Sequence, residues 1–216
     1  MKKFLSLLTA LTISTTIFAS TTILPQEETP VLAEDSAVAV GLNKLDILRG
    51  TGNGFELDRN ITRAEAVVLL LRLHPENTGA LGLPSPEFDD MEGHWAYKEV
   101  TSAKKMGLVN GTSATTFEPD RPVTGREFAK MMLSLLCYED VTIENAYQLG
   151  EDCGLLVNNF TRSAVYDDRP LLRSDAARIC WSALLSKTRD GQLLYNRLIE
   201  VGKYQNDDFD KELYCE

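Results

Sequence analysis

Residues 88–136 read FDDMEGHWAYKEVTSAKKMGLVNGTSATTFEPDRPVTGREFAKMMLSLL, and this stretch sets the pattern for the rest of the chain. An aromatic-acidic opening leads into a short segment in which Val100, Ala103 and Met106 recur at helical spacing. Gly107 and Gly111 bracket a turn. An extended Phe117-Glu118-Pro119-Asp120 run follows, and then an apolar run, 128–136, whose length and composition predict a buried helix. The stretch is one complete helix-loop-helix unit.

Weaker copies lie on both sides. Aligning Gly111 with Gly50 places Val100, Ala103, Met106 and Leu108 on Ala39, Leu42, Leu45 and Ile47. Asp120 falls on Asp58, and VTGRE at 123–127 falls on ITRAE at 61–65, ahead of an apolar run, 64–73. Downstream, Gly154-Leu155-Leu156 matches Gly107-Leu108-Val109, Tyr166 takes the place of Phe117, and LLRSD at 171–175 precedes the apolar run 176–185. The expected organisation is repeat 1 at 34–74, with no leading segment; a Pro- and Gly-rich linker at 75–87; repeat 2 at 88–138; and repeat 3 at 139–188. Residues 189–216 follow, comprising a C-terminal helix over 192–201, with Leu193, Leu194, Leu198 and Val201 on one face, and a loose acidic tail.

Residues 1–33 have the form of a secretory signal peptide: Lys2 and Lys3, an uncharged stretch from Phe4 to Leu24, Pro25, and small residues up to a cut after Ala33. A second candidate cut lies near Ala19 or Ser20. Left uncleaved, the same stretch is long enough to act as a membrane anchor. Either way the folded part lies outside the cytoplasm. The formal charge of −10 argues against nucleic acid and against an anionic membrane surface. The four cysteines match no metal-ligand spacing. Cys137, Cys153 and Cys180 occupy positions that are apolar in neighbouring repeats and read as small core residues, whereas Cys215 reads as exposed. His74 and His94 stand beside no nucleophile motif, so no catalytic residue is assigned and no cofactor is expected. His94 and the pair Asp89-Asp90 read as structural hydrogen-bonding and turn residues.

Thr62-Arg63-Ala64-Glu65 and Thr124-Gly125-Arg126-Glu127 are capping boxes, which accounts for their threonines and glutamates. It does not account for arginine. A cation in the first helical turn opposes the helix dipole at a cost of about 0.3–1 kcal/mol. Yet Arg63, Arg126 and Arg173 all sit there. One reading is an anion held between arginine and free backbone amides. The other is an internal ion pair, for instance to Asp58, Asp120 or Asp168.

The FDDMEGHWAYKEV opening, the GLVNG turn, the F-x-P-D-R-P run and the ITRAE helix start together resemble the S-layer homology domain of bacterial surface proteins. The resemblance implies an all-α fold of three helix-loop-helix repeats in a pseudo-three-fold arrangement around a central bundle. It also implies non-covalent binding of secondary cell-wall polysaccharide carrying pyruvate ketals, in grooves between repeats. Thr62 and Arg63 match the family motif fully. Thr124 matches, but Gly125 stands where arginine belongs, with Arg126 displaced by one, which turns a helical side chain by about 100°. Arg173 is in register, with Leu172 replacing threonine and Asp175 replacing glutamate. Family analogy makes Trp95 a sugar platform, whereas its chemistry alone suits a core aromatic under the short helix. The ligand-contact set is thus Arg63, Thr62, Arg173, Arg126, Thr124 and Trp95. The alternative reading is a decayed scaffold that binds a protein partner at the cell surface, for instance through the C-terminal helix.

Overall fold

The computed structural model describes residues 30–76 and 88–205. The expected signal cut near Ala19, the candidate anchor, most of the linker and the acidic tail therefore lie outside the described residues. Those described form eight α-helices, with no strand among them, so the fold is all-α as expected. The helices are α1 (Pro30–Lys44), α2 (Arg63–Leu73), α3 (Tyr97–Lys105), α4 (Gly125–Leu135), α5 (Ala146–Asp152), α6 (Asn159–Tyr166), α7 (Arg173–Leu185) and α8 (Leu194–Glu200). A 3-10 turn at Asp89–Met91 precedes α3.

The long helices α2, α4 and α7 contact one another pairwise and carry much of the core, including Leu70, Leu73, Phe128, Met132, Ile179 and Trp181. The shorter helices are exchanged between repeats. Helix α3 of repeat 2 packs on α2 of repeat 1, and α5 of repeat 3 packs on α4 of repeat 2. Helix α1 of repeat 1 packs on α7 of repeat 3. The handing-on of helices therefore closes on itself, and each repeat leaves an apolar face that only its neighbour covers.

The residues just before the long helices make a second closed ring. The Ile61 amide donates to the Leu171 carbonyl, Leu171 to Val123, and Val123 back to Ile61, at 2.9–3.1 Å. Two residues further on, Arg63, Gly125 and Arg173 link the repeats in the opposite sense, their amides donating to the carbonyls of Arg121, Arg169 and Arg59. The first amides of an α-helix have no partner within it. Here the preceding loop of another repeat supplies one.

Several expectations need correction. Cys153 and Cys180 are buried, but Cys137 is exposed: it follows the end of α4 with φ +65° and turns its side chain away from the core. Repeat 3 contains helix α6, which the alignment with repeat 2 treats as loop. Tyr166 is the last residue of α6 and is 63% exposed, whereas Phe117 is fully buried, so the two are not equivalent. Trp95 is 62% exposed, which rules out its reading as a core aromatic. In α8 the buried face is Leu194, Tyr195 and Leu198, packed on α7, while Val201 is exposed.

Candidate functional site

The capping boxes form as the sequence predicts. The Thr62 hydroxyl accepts from the Glu65 amide and the Glu65 carboxylate accepts from the Thr62 amide; Thr124 and Glu127 do the same. In repeat 3 only the return bond survives, from the Leu172 amide to Asp175 at 3.0 Å, because leucine has no oxygen to offer. A loop arginine then clamps each capping carboxylate: Arg59 on Glu65 (2.6 Å), Arg121 on Glu127 (2.6 Å) and Arg169 on Asp175 (2.7 Å). Sequence reasoning missed these three arginines, although each lies six residues before its carboxylate.

The helix-start arginines reach across repeat boundaries. Arg63 is buried, its guanidinium stacked over the Phe117 ring at 4.6 Å. Its Nε donates to the Phe117 carbonyl (2.9 Å), Nη2 to the Asn110 carbonyl (3.1 Å) and Nη1 to Glu127 (3.0 Å). Arg173 repeats this on repeat 1: Nε donates to the Phe55 carbonyl and Nη2 to the Arg49 carbonyl, both at 2.7 Å, and Nη1 lies 3.7 Å from Glu65. Burial pulls both guanidinium groups below their ordinary pKa, against the pull of the facing glutamates, and at that height both stay charged. The internal partner is therefore the neighbour's capping glutamate, not the loop aspartates Asp58, Asp120 or Asp168.

The boundary between repeats 2 and 3 is built differently. Helix α6 lies so close to Gly125 that a Cβ there would sit 2.0 Å from the Ala164 carbonyl oxygen. Arginine cannot occupy this position. Arg126 instead caps the end of α6, donating to the carbonyls of Tyr166 (3.1 Å) and Val165 (3.4 Å).

Where Arg63 meets repeat 2 there is a cavity of about 170 Å³, lined by Arg63, Asn110, Gly111, Glu127, Lys130 and Ser134 among others. Gly111 is needed here for close approach rather than for a turn: a Cβ would lie 2.5 Å from the Ser113 and Thr116 carbonyl oxygens. Arg63 has N–H donors beyond the three it uses internally. Lys130 has no ion-pair partner among the described residues. The cavity thus joins a buried guanidinium and an ammonium beside the Glu127 carboxylate, and the two cations suit it to a small anion. At the Arg173 boundary the position matching Lys130 is Val68, three residues after the capping glutamate in each case.

Of the six candidate ligand residues, the structure brings Arg63 to this cavity. Thr62 and Thr124 spend their hydroxyls on the capping boxes, Arg173 and Arg126 stand at the other two boundaries, and Trp95 does not line the cavity. Trp95 sits in the open beside His94, whose ring is 5.4 Å away. His94 Nδ1 accepts from the Ala96 amide, and Nε2 lies 3.3 Å from Asp120. Asp90 accepts from the amides of Phe117 and Glu118, as befits a turn residue.

Residues 87–129 match the S-layer homology domain family model. The chain carries an S-layer homology domain. It is 39% identical over 114 residues to cell surface glycoprotein 1 of Acetivibrio thermocellus, covering 51% of this chain and 5% of that protein. It is 32% identical over 92 residues to an S-layer protein of Bacillus thuringiensis subsp. finitimus, covering 42% of this chain and 11% of the other. A cellulosome-anchoring protein of Acetivibrio thermocellus matches at 34% over 92 residues, covering 41% of this chain and 21% of its own length. The chain thus spans about a fifth or less of these relatives. The domain and relatives make this a secreted, wall-associated surface protein.

Proposed function

We propose that this chain anchors itself non-covalently to the cell wall by binding an acidic secondary wall polysaccharide, with the Arg63 cavity taking a pyruvylated sugar. The observation that carries this reading is the convergence of Arg63 and Lys130 on one cavity at a repeat boundary. A ketal pyruvate presents one carboxylate on a compact ring, and a guanidinium with an adjacent ammonium complements it. Arg173 ranks second, because its boundary has Val68 in place of the lysine. No ligand role is proposed for the boundary that α6 fills.

The test is co-sedimentation of the purified chain with isolated wall, before and after mild acid removal of ketal pyruvate. Binding that falls at least tenfold on depyruvylation and in Lys130→Ala supports the reading. Lys130 is the informative position because it carries no fold-bearing ion pair. Binding unchanged by both treatments would refute it. The alternative, a scaffold that binds a surface protein and no glycan, is favoured by the closed third boundary. It predicts that the chain stays in the supernatant with every wall preparation.

A further inference from the structure

Residues 189–205 lie across the ends of the long helices and touch all three repeats. Helix α8 packs on α7 of repeat 3. The chain then crosses to repeat 1, where Tyr204 is buried and its hydroxyl donates to the Leu45 carbonyl just past α1 (3.0 Å). Lys203 Nζ donates to the His74 carbonyl at the end of α2 (2.7 Å), a place where a cation suits the helix dipole. Repeat 2 is met at the end of α4. The Arg189 amide donates to the Leu136 carbonyl (3.0 Å), and Arg197 of α8 reaches to 4.0 Å from Cys137 Sγ.

Cys137 is exposed, whereas Cys153 and Cys180 are 6% and 0% exposed and belong to the core. Within the chain, the thiol left for Cys137 to meet is Cys215 of the acidic tail. The start of that tail is pinned near it. The Gln205 carbonyl accepts from the Tyr195 hydroxyl (2.8 Å), and Tyr195 lies two residues before Arg197 in α8. Followed through these side chains, the route from Gln205 to Cys137 is at most about 30 Å, while the ten residues from Gln205 to Cys215 span about 33–36 Å when extended. The tail carries five acids, Asp207, Asp208, Asp210, Glu212 and Glu216, against Lys211. The Arg197 cation, paired with Asp190 at a long 3.7 Å, favours its approach to Cys137.

From this arrangement, we infer that Cys137 and Cys215 form a disulfide, which fastens the tail to the end of α4 and completes a covalent belt over the three repeats. The reaction is thiol–disulfide exchange with a small-molecule or protein disulfide outside the cytoplasm. The Cys137 thiolate attacks one sulfur of that oxidant and expels its other sulfur as a thiolate. The Cys215 thiolate then attacks Cys137 Sγ in the mixed disulfide and expels the second. One S–S bond is made in the chain, one is broken in the oxidant, and the two protons pass to the two thiols released. The belt is independent of wall binding by the Arg63 cavity, and either can fail alone.

The test incubates the purified full chain with glutathione disulfide, blocks remaining thiols with iodoacetamide, and maps peptides without reduction. Cleavage after glutamate separates Cys137 from Cys153 at Glu139. The expected product is a monomer in which peptide 128–139 is linked to peptide 213–216, with Cys153 and Cys180 recovered as thiols after unfolding. Its Tm should exceed that of Cys215→Ser, treated alike, by at least about 5 °C, and the difference should vanish on reduction. Cys137 and Cys215 recovered as thiols or glutathione adducts, Cys215 linked to Cys153 or Cys180, or a dimer joined through Cys137 would each overturn the assignment. A mapped bond with no Tm difference would overturn the belt.

Discussion

Removing the Glu127 carboxylate is the sharpest test of how the repeats are joined. It accepts from the Thr124 amide (3.0 Å), from Arg121 through Nη1 (3.2 Å) and Nη2 (2.6 Å), and from Arg63 Nη1 (3.0 Å). Arg63 side-chain exposure is 4% and that of Glu127 is 19%. Breaking a fully buried ion pair by removing one partner costs about 3–5 kcal/mol. Some solvent reaches Glu127, which lowers that figure, and half a capping box is lost as well, which raises it by roughly 0.5–1 kcal/mol. Glu127→Ala should therefore cost about 3 kcal/mol, or roughly 6–12 °C in Tm for a chain of this size. Urea unfolding of the wild type, Glu127→Ala, Arg63→Ala and the double variant completes a thermodynamic cycle. The expected coupling between Arg63 and Glu127 is about 1–3 kcal/mol. The matching pair across the repeat 3 to repeat 1 boundary, Arg173 and Glu65 at 3.7 Å, should couple more weakly. A coupling below about 0.5 kcal/mol for Arg63 and Glu127, the lower bound for residues in one network, would refute the cross-repeat clasp.

Acid should loosen the same joints. Burial alone would raise the Glu127 and Glu65 carboxyls, but their arginine partners and capping amides outweigh it and hold both below the usual glutamate value. Their contribution is therefore present above the unfolded glutamate pKa and lost as pH falls through the lower, folded one. Stability measured from pH 6 to pH 2 should drop in the acid limb, and Glu127→Gln should flatten that limb; an unchanged limb counts against the assignment. Gly125→Ala should destabilise by about 1–3 kcal/mol through overpacking against α6. An alanine in an open first turn would instead stabilise by up to ~1 kcal/mol, so the sign of the Tm shift decides whether α6 is seated there. Iodoacetamide with peptide mapping should modify Cys137 in the reduced, folded chain and leave Cys153 and Cys180 untouched until urea is added, because burial both shields these two thiols and pushes their pKa up. Equal labelling of all three would show that the core is not closed around them.

Periodicity located the long helices well. The runs expected at 64–73, 128–136 and 176–185 correspond to α2, α4 and α7, each starting one to three residues earlier because the capping box opens the helix before its apolar face begins. Alignment to the central repeat located the rest less well, since it transfers the structure of one copy to another. It hid α6, although Asn158 is an N-cap that accepts from the Thr161 amide, and Ala164 and Val165 supply the buried side. The candidate site was half legible. Thr62, Arg63 and Glu65 announced a special helix start, but Lys130 belongs to α4 of the next repeat, one turn after Glu127, on a face that reads as ordinary helix surface. Only the tertiary fold turns that face toward Arg63. The three clamping arginines, Arg59, Arg121 and Arg169, belong to loops whose path no periodicity describes.

The contacts of the helix-start arginines change what their position implies. A cation at a helix start opposes the dipole, and that left two readings open, an anion from outside or an internal ion pair. The fold supplies one itself, because each clasp brings a neighbour's capping carboxylate and two carbonyl oxygens to the guanidinium. The dipole cost of Arg63 and Arg173 is thus met internally, and it no longer argues for a ligand. What argues for one is the difference between boundaries. With the same clasp at two of them, only the Arg63 boundary adds an ammonium, Lys130, that has no ion-pair partner among the described residues, next to a cavity bounded by a glycine that tolerates no side chain. The third boundary shows what happens where no such room is kept: α6 fills the space, glycine replaces arginine, and Arg126 is used to cap a helix. Ring closure needs all three joints, whereas anion binding needs a joint that has been left open. On that distinction the Arg63 cavity is where wall binding should be measured first.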